Sequence, residues 1–193
     1  WRGGIGTMGV SSGKWYYEVK ITALNTSGTT ANNAYFMFGY QKQSNVGNYE
    51  TVALAGTGNG GSEKIIVTDT GCFGINSSGT SPHYGTSSIN SDTAFAVNDI
   101  IGLALNADTG SVQVYKNGSA LGSAVTFAAD TYIPFYSKWS NTHGNGTFNF
   151  GAKGFAHTPP SGYKALSSDN IPTATNVDPV NQKKPSDYFN TVL

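Results

Sequence analysis

Two Asp-Thr-Gly triplets are the residues of this sequence whose types first suggest chemistry. They are Asp69-Thr70-Gly71 and Asp108-Thr109-Gly110. An aspartic-protease mechanism needs two carboxylates that share one proton, and the two-lobed proteases that use it need far more than 193 residues. Because Asp and Gly are ordinary turn formers, we predict that both triplets are hairpin turns without catalytic function.

The other reactive side chains are few and scattered along the chain. The histidines, His83, His143 and His157, lack a metal-binding spacing. The single cysteine, Cys72, can form neither an internal disulfide nor a thiol-based zinc cluster. The sequence has no phosphate loop and no paired-glutamate signature. We therefore expect no catalytic residues, no metal site and no cofactor, and a glycan-processing enzyme ranks last among the functions considered.

The charge balance and the length of the apolar runs argue against two classes of partner. Lysine plus arginine and aspartate plus glutamate each number 11, so the formal net charge at pH 7 is zero. The basic residues are scattered, and their one adjacent pair, Lys183-Lys184, lies near the C-terminus, so no field of one sign attracts a nucleic acid. No apolar run approaches the length of a membrane span. We expect neither nucleic-acid binding nor membrane insertion.

Aromatic and histidine side chains in otherwise polar loops are the candidates for a binding site. Rigid side chains with an apolar body and a polar tip are common recognition anchors, and edge loops of a sandwich commonly carry function. The alternative to a binding role is a purely structural role. The two roles are equally favoured for Trp139, whereas the structural role is favoured for Tyr49 and for the His83-Tyr84 pair. We predict a contact surface at one end of the molecule formed by Tyr49, His83, Tyr84, Trp139 and His143.

Alternating apolar and polar residues predict the strands that position these loops. The most regular stretch, Asp99–Gly118, reads as a hairpin with a turn at Ala107–Gly110 and a second turn at Asn117-Gly118. In Lys14–Ile21, four apolar residues share one face and are predicted to be buried, while Glu18 on the other face is a candidate for a buried, hydrogen-bonded carboxylate. The four residues are Trp15, Tyr17, Val19 and Ile21. Further strands are predicted at residues 51–55, 64–68 and 125–127, and residues 77–91 are predicted to be a loop. Gly110 and Gly118 are predicted to adopt positive φ in their turns. Many short strands without helical periodicity predict an all-β, two-sheet antiparallel β-sandwich.

Composition divides the chain into two parts. Residues 1–166 have the pattern of the sandwich domain. From residue 167 onward the sequence is rich in Asp, Asn, Thr and Pro, which predicts that residues 167–193 are a linker or C-terminal extension. Near its end, Asp187-Tyr188-Phe189-Asn190 regains aromatic residues. This short segment either docks on the first domain or begins another, and both interpretations stay open.

Three stretches of residues 1–166 resemble SPRY domains. Gly13–Val19 resembles their G-x-x-Y-[WY]-E-V strand, and Asp99–Gly118 resembles their central hairpin. Asn149–Gly151, Phe155 and Pro160–Leu166 together resemble their closing N-F-G…F…P-x-G-Y-x-x-L stretch. The resemblance implies a jelly-roll, concanavalin-like sandwich that binds a partner without catalysis.

Other features of the sequence extend or limit the resemblance. Trp139 resembles a Trp that some SPRY proteins place at a peptide pocket, whereas Asn106 stands where the family commonly has Asp, and the upstream strand before Trp1 is absent. The richness in Ser, Thr, Gly and Asn resembles SPRY-like modules of phage virion and tail proteins. This implies a virion or extracellular location and recognition of a host-surface protein or glycan. A purely architectural contact with neighbouring virion subunits is the alternative, and oligomerisation through the parent assembly is compatible with either role.

Overall fold

The described part of the chain is β-structure with one short 3-10 helix at Ser168–Asn170. The computed structural model describes residues 2–24, 36–43, 72–76, 83–84, 87–88, 95–126, 130–138 and 144–170. The strands are β1 Arg2–Ile5, β2 Lys14–Ala23, β3 Phe36–Lys42, β4 Cys72–Asn76, β5 His83–Tyr84, β6 Ser87–Ser88, β7 Ile100–Asn106, β8 Ser111–Lys116, β9 Ser119–Thr126, β10 Tyr132–Lys138, β11 Asn145–Asn149 and β12 Lys164–Ala165.

These strands form two sheets that pack face to face. The first sheet has the order β1-β10-β3-β4-β5-β6, and the second has the order β11-β2-β7-β8-β9. All pairings among the described strands are antiparallel except that of β12, which runs parallel to β2 and pairs Lys164 with Trp15 and Ala165 with Tyr16. The predicted all-β, two-sheet antiparallel sandwich is confirmed.

The inner face of β2 forms the centre of the core. Its four alternating apolar residues are at most 4% exposed, which confirms the prediction that they are buried: Trp15, Tyr17, Val19 and Ile21. Two tyrosine hydroxyls form hydrogen bonds between the sheets, one donated from each sheet. Tyr17 Oη donates to the carbonyl of Gly39 at 2.8 Å, and Tyr40 Oη donates to the carbonyl of Leu103 at 3.4 Å. Burial raises the pKa of both tyrosines well above the ordinary value, so both hydroxyls stay protonated and able to donate.

The predicted hairpin is present as β7 and β8, and a second tight turn leads into β9. Gly110 ends the first turn with φ 61°, and the two-residue loop Asn117-Gly118 has φ 51° and 82°. Positive φ at both loop residues is the geometry of a type I′ hairpin, for which Asn-Gly is the preferred pair. The prediction that Gly110 and Gly118 occupy turns with positive φ is confirmed.

A carboxylate fixes the corner where this hairpin begins. Asp99 accepts hydrogen bonds from the backbone N–H of Ala96 at 2.7 Å and from Asn117 Nδ2 at 2.8 Å, and it pairs with Lys116 Nζ at 3.1 Å. Burial alone raises its pKa, but these donors outweigh burial and the pKa of Asp99 lies below its ordinary value. This carboxylate therefore stabilises the fold above its ordinary pKa, and the contribution is lost as the pH falls through the folded-state pKa.

Replacing Gly118 with alanine is expected to destabilise the fold by more than the roughly 1–2 kcal/mol that a left-handed conformation costs an L-residue. A Cβ at Gly118 would lie 2.9 Å from His157 Nδ1, so the ring must also move. Gly154→Ala is the matched control, because Gly154 has φ 72° and no atom lies within 4 Å of its added Cβ. Urea unfolding measures both variants; equal losses would show that the His157 contact adds nothing.

Two other predictions about elements have different outcomes. The stretch Ser77–Ser91 was predicted to be a loop, but His83–Tyr84 and Ser87–Ser88 pair as β5 and β6 at the edge of the first sheet. Strands of two residues are too short for alternation to show in the sequence. The predicted strands 51–55 and 64–68 lie outside the described residues, and the division of the chain at residues 166 and 167 stays a prediction.

Candidate functional site

The five residues of the predicted contact surface belong to segments that the structure describes only in part. Tyr49, Trp139 and His143 lie outside the described residues. His83 and Tyr84 are described as backbone, where β5 pairs them with Gly74 and Phe73 of β4. Their clustering into one surface stays a prediction.

The strands nevertheless fix where these loops are attached. The loop with Tyr49 leaves β3 after Lys42, which lies opposite Tyr132 on β10. The loop with Trp139 leaves β10 after Lys138, which lies opposite Phe36 at the other end of β3. The seven register pairs between these strands span roughly 20 Å. Trp139 and His143 both lie between β10 and β11 in the sequence, whereas the segment with Tyr49 begins at the opposite end of β3 from the partner of Lys138.

A buried glutamate organises the outer face of the second sheet. Glu18 is 2% exposed, and its carboxylate accepts hydrogen bonds from the backbone N–H groups of Ala156 and His157 at 2.8 and 2.9 Å. The Tyr16 hydroxyl donates to the same carboxylate at 3.3 Å, and the Tyr16 ring meets that of Phe155 edge to face at 4.9 Å. Burial, followed by the negative charge of Glu18, raises the pKa of Tyr16, which keeps this hydroxyl a donor. The prediction of a buried, hydrogen-bonded Glu18 is confirmed.

This arrangement, which we call the Glu18 clasp, holds residues 151–163 against the sheet. Gly102 lies opposite Glu18 in the β2–β7 register, and a Cβ at that position would collide with the Tyr16 hydroxyl. The glycine therefore leaves the room that Tyr16 occupies. Both carboxylate oxygens of Glu18 accept hydrogen bonds within the fold, so the role that the geometry gives this residue is structural.

A cavity of about 570 Å³ lies beside the Glu18 clasp on the same face. Its floor comes from β2 and β11, and its wall comes from the segment after β11. The charged residues that line it are Glu18, Lys20 and Lys153. The described lining contains no serine, cysteine or histidine, and its one carboxylate, Glu18, already accepts two backbone hydrogen bonds.

An apolar groove lies at the open edge of the sandwich, between β1 and β10 of the first sheet and β11 of the second. It consists of two adjoining cavities of about 290 and 240 Å³ that share Gly6, Pro134 and Phe150. The remaining lining residues are Gly4, Ile5, Thr7, Met8, Phe135, Tyr136, Phe148, Leu166, Ser167 and Ser168. None of these residues is charged, and Tyr136 is 39% exposed. We call this feature the open-edge groove.

Sequence patterns associated with catalysis occupy turns in the described ranges. Asp108 lies in the β7–β8 turn, where its Oδ1 accepts a hydrogen bond from the backbone N–H of Gly13 at 2.7 Å; the triplet at Asp69 lies outside the described residues. Gly9–Gly13 fits the pattern Gly-x-Ser-x-Gly, but it forms a bend between strands with Ser11 exposed, whereas a nucleophile elbow joins a strand to a helix.

The described residues hold neither a metal-binding cluster nor a membrane-spanning helix. They contain no group of three or more His, Cys, Asp or Glu side chains that could hold a metal ion. None of the helical structure in these ranges is long and apolar enough to span a membrane.

The order and pairing of the strands can now be compared with solved structures. The SPRY domain of human HERC1 matches with a TM-score of 0.50 and 15% sequence identity, over 76% of this chain and 79% of that domain. The chain has a SPRY-like fold. No protein-family model matches the sequence.

A curated relative also matches this SPRY-like chain. The probable ATP-dependent RNA helicase ddx1 of Dictyostelium discoideum is 29% identical over 184 residues, which cover 92% of this chain and 20% of the helicase. The chain therefore spans about a fifth of that relative's length.

The sequence analysis missed the open-edge groove and the two backbone donors of the Glu18 clasp. The residue types of Ala156 and His157 do not indicate that their backbone N–H groups bind Glu18, although the neighbouring Phe155 belongs to the closing SPRY-like stretch. The groove joins residues near both ends of the described chain, from Gly4 to Ser168. A local pattern cannot reveal a surface built from such distant segments, because alternation reports only which face of one strand is buried.

Proposed function

We propose that this SPRY-like chain is a non-catalytic binding module that recognises a protein partner through its edge loops. The observation that carries the proposal is the SPRY-like sandwich, which is a rigid scaffold for loops. Two carboxylates of this scaffold, Glu18 in the clasp and Asp99 at the hairpin corner, are engaged in hydrogen bonds within the fold. Specific contacts are therefore assigned to the loops, with Trp139 as the main contact.

We place the module in a virion or another extracellular structure, where it recognises a host-surface protein or glycan. The Ser-, Thr-, Gly- and Asn-rich composition supports this setting. The alternative is an architectural contact between virion subunits. A large exposed apolar patch would favour that alternative. On the described surface the exposed large hydrophobic residues are Tyr136 on β10 of the first sheet and Val97 in the turn before β7 of the second. Recognition is therefore favoured over assembly.

Replacing Trp139 with alanine is expected to weaken binding to a selected ligand by roughly thirtyfold, since a tryptophan anchor commonly contributes about 2 kcal/mol. The ligands are selected with the unmodified chain from a displayed random-peptide library and from a glycan array. The affinity should change little with salt, because the net charge is zero. Thr109→Ala is the control, since Thr109 is exposed in the turn after Asn106, which pairs with Lys14 at the opposite end of β2 from Ala23, the partner of the first residue of β11.

Equal affinities for the Trp139 variant and the control would contradict the proposed site. A loss of thermal stability in the Trp139 variant would assign this residue to the fold instead. Selection of glycans in place of peptides would keep the loop site but change the class of partner.

A second candidate function is that of an accessory module in an RNA helicase, which the similarity to the Dictyostelium helicase favours. This chain has no phosphate loop, so its contribution to such a protein would be a binding surface rather than ATP hydrolysis.

The chain alone is expected not to bind RNA at physiological salt, because its net charge is zero and its basic residues are scattered. Fluorescence anisotropy with a labelled single-stranded RNA measures this directly. Binding that weakens steeply as salt rises would support the helicase setting and contradict the expectation of no nucleic-acid partner.

A further inference from the structure

The open-edge groove is an apolar surface without an occupant among the described residues. Phe148 on β11 and Phe150 just after it are partly buried against the core, and both line the groove. Tyr136, at 39% exposure, contacts Phe148 with ring centroids 5.8 Å apart. Covering apolar surface of this kind with an apolar side chain removes it from water, which is energetically favourable.

The size of the groove fits aromatic rings. Its two cavities measure about 290 and 240 Å³. A cavity of about 150 Å³ lined by apolar side chains already accommodates benzene. Because the lining contains no charged residue, an aromatic ring suits it and a lysine or carboxylate does not.

The described chain ends at the wall of this groove. Leu166 is 3% exposed, and its N–H donates to the carbonyl of Tyr16 at 3.1 Å. Ser167 and Ser168 follow as lining residues, and Asn170 Nδ2 donates to the carbonyl of Ala165 at 3.0 Å. These hydrogen bonds fix the point from which residue 171 continues, directly beside the groove.

Residues 171–193 contain one aromatic cluster. Tyr188 and Phe189 stand together in a stretch that is otherwise mostly polar or proline-rich. Tyr188 follows Asn170 by 18 positions, and an extended chain of that length reaches roughly 60 Å at about 3.3 Å per residue. The whole groove is within that distance. Attachment to the same chain also gives a millimolar effective concentration, so a weak contact is enough for occupancy.

We infer that Tyr188-Phe189 occupies the open-edge groove, so that the C-terminal segment folds back on the sandwich that precedes it. The inference combines the uncharged lining, the ring-sized cavities and the position of Ser167 and Ser168 at the groove wall. It is independent of the proposed function, because the described lining contains none of the five residues of the predicted contact surface.

The test uses the complete 193-residue chain labelled at its methionine methyl groups and observed by NMR. Met8 lines the groove, and Met37 on β3 gives a second resonance as an internal reference. The double variant Tyr188→Ser with Phe189→Ser is compared with Val177→Ser with Val180→Ser, which removes two apolar residues from the same segment. We expect the first variant to move the Met8 methyl resonance, because a ring current is lost, and the control to leave it in place.

Two further measurements identify the occupant. Adding a synthetic peptide of residues 183–193 to the Tyr188/Phe189 double variant should return the Met8 resonance toward its original position. Tenfold dilution of the unmodified chain should leave the resonance unchanged, because the contact is intramolecular.

Several outcomes would overturn the inference. They are an unmoved Met8 resonance in the Tyr188/Phe189 double variant, an equal movement in the valine control, and a movement on dilution, which would assign the groove to a second copy of the chain. Movement with Trp1→Ser but not with the tail variant would assign the groove to Trp1.

Discussion

Replacing Glu18 with alanine is expected to lower the free energy of unfolding by about 3 kcal/mol and to release residues 151–163 from the outer face of the second sheet. The variant removes the acceptor of two backbone N–H groups and one tyrosine hydroxyl. A hydrogen bond to a charged group contributes roughly 1.5–3 kcal/mol. The loss is smaller than the sum of three such bonds, because the variant also removes the cost of burying a carboxylate. Urea unfolding measures the energy.

Amide hydrogen exchange shows where the Glu18→Ala variant loosens. The N–H groups of Ala156 and His157 should lose protection, while those of the β7–β8 hairpin should keep it, since their partners are backbone carbonyls of the neighbouring strands. Glu18→Gln should lie between alanine and the original residue, because one oxygen still accepts while the amide N–H₂ faces a donor.

Lys20→Ala is the matched surface control for Glu18. Lys20 lies on the same face of β2 and is exposed, so its loss should stay within about 0.5 kcal/mol of zero. If Glu18→Ala were as stable as Lys20→Ala, the clasp would have no energetic role.

Local signals explain which parts of the fold the sequence predicts. In β2, alternation identifies the buried face, and in the hairpin, Asn117-Gly118 specifies both the turn and its positive φ angles. By contrast, only the end of β9 was predicted, as Val125–Phe127, although the strand begins at Ser119. Most of β9 is an exposed edge strand of small residues, so it lacks the apolar alternation that marks a half-buried strand.

Burial on the outer face of β2 depends on distant residues. Tyr16 and Glu18 were placed on the face opposite the core, and they do lie there, yet both are only 2% exposed. The segment that covers them lies about 138 positions away in the sequence. Alternation gives the direction of a side chain but not what covers it, which is also why the open-edge groove escaped prediction.

The candidate binding loops show a related limit. Residue type identifies Trp139 and His143 as candidates for recognition, and the strands fix both ends of their connection. Neither signal fixes where the side chains between these strands point, because residues 139–143 lie outside the described residues. The attachment of the loop is thus established by the fold, whereas its contact surface stays a prediction.

Replacing Tyr17 with alanine is expected to cost about 3–5 kcal/mol of folding free energy, which is the usual loss for a large aromatic core residue. Tyr17 is fully buried, and its ring lies 5.3 Å from that of Tyr40 and 5.1 Å from that of Phe150, measured between centroids. The variant leaves a cavity between the sheets and removes the hydrogen bond to the carbonyl of Gly39. Thermal or urea unfolding monitored by circular dichroism measures the loss.

Tyr17→Phe separates the hydroxyl from the ring. This variant keeps the ring contacts and removes only the bond to Gly39, so it should cost about 1 kcal/mol. Tyr40→Phe removes the hydroxyl that bonds from the first sheet to the second, at the longer distance of 3.4 Å. Its loss of folding free energy should therefore be smaller than that of Tyr17→Phe. A Tyr17→Ala variant as stable as Tyr17→Phe would show that the ring does not fill the core, and would contradict the burial of this face of β2. Because the Tyr17 and Tyr40 rings are in contact, with centroids 5.3 Å apart, the two losses are expected to be coupled, and the double phenylalanine variant measures that coupling.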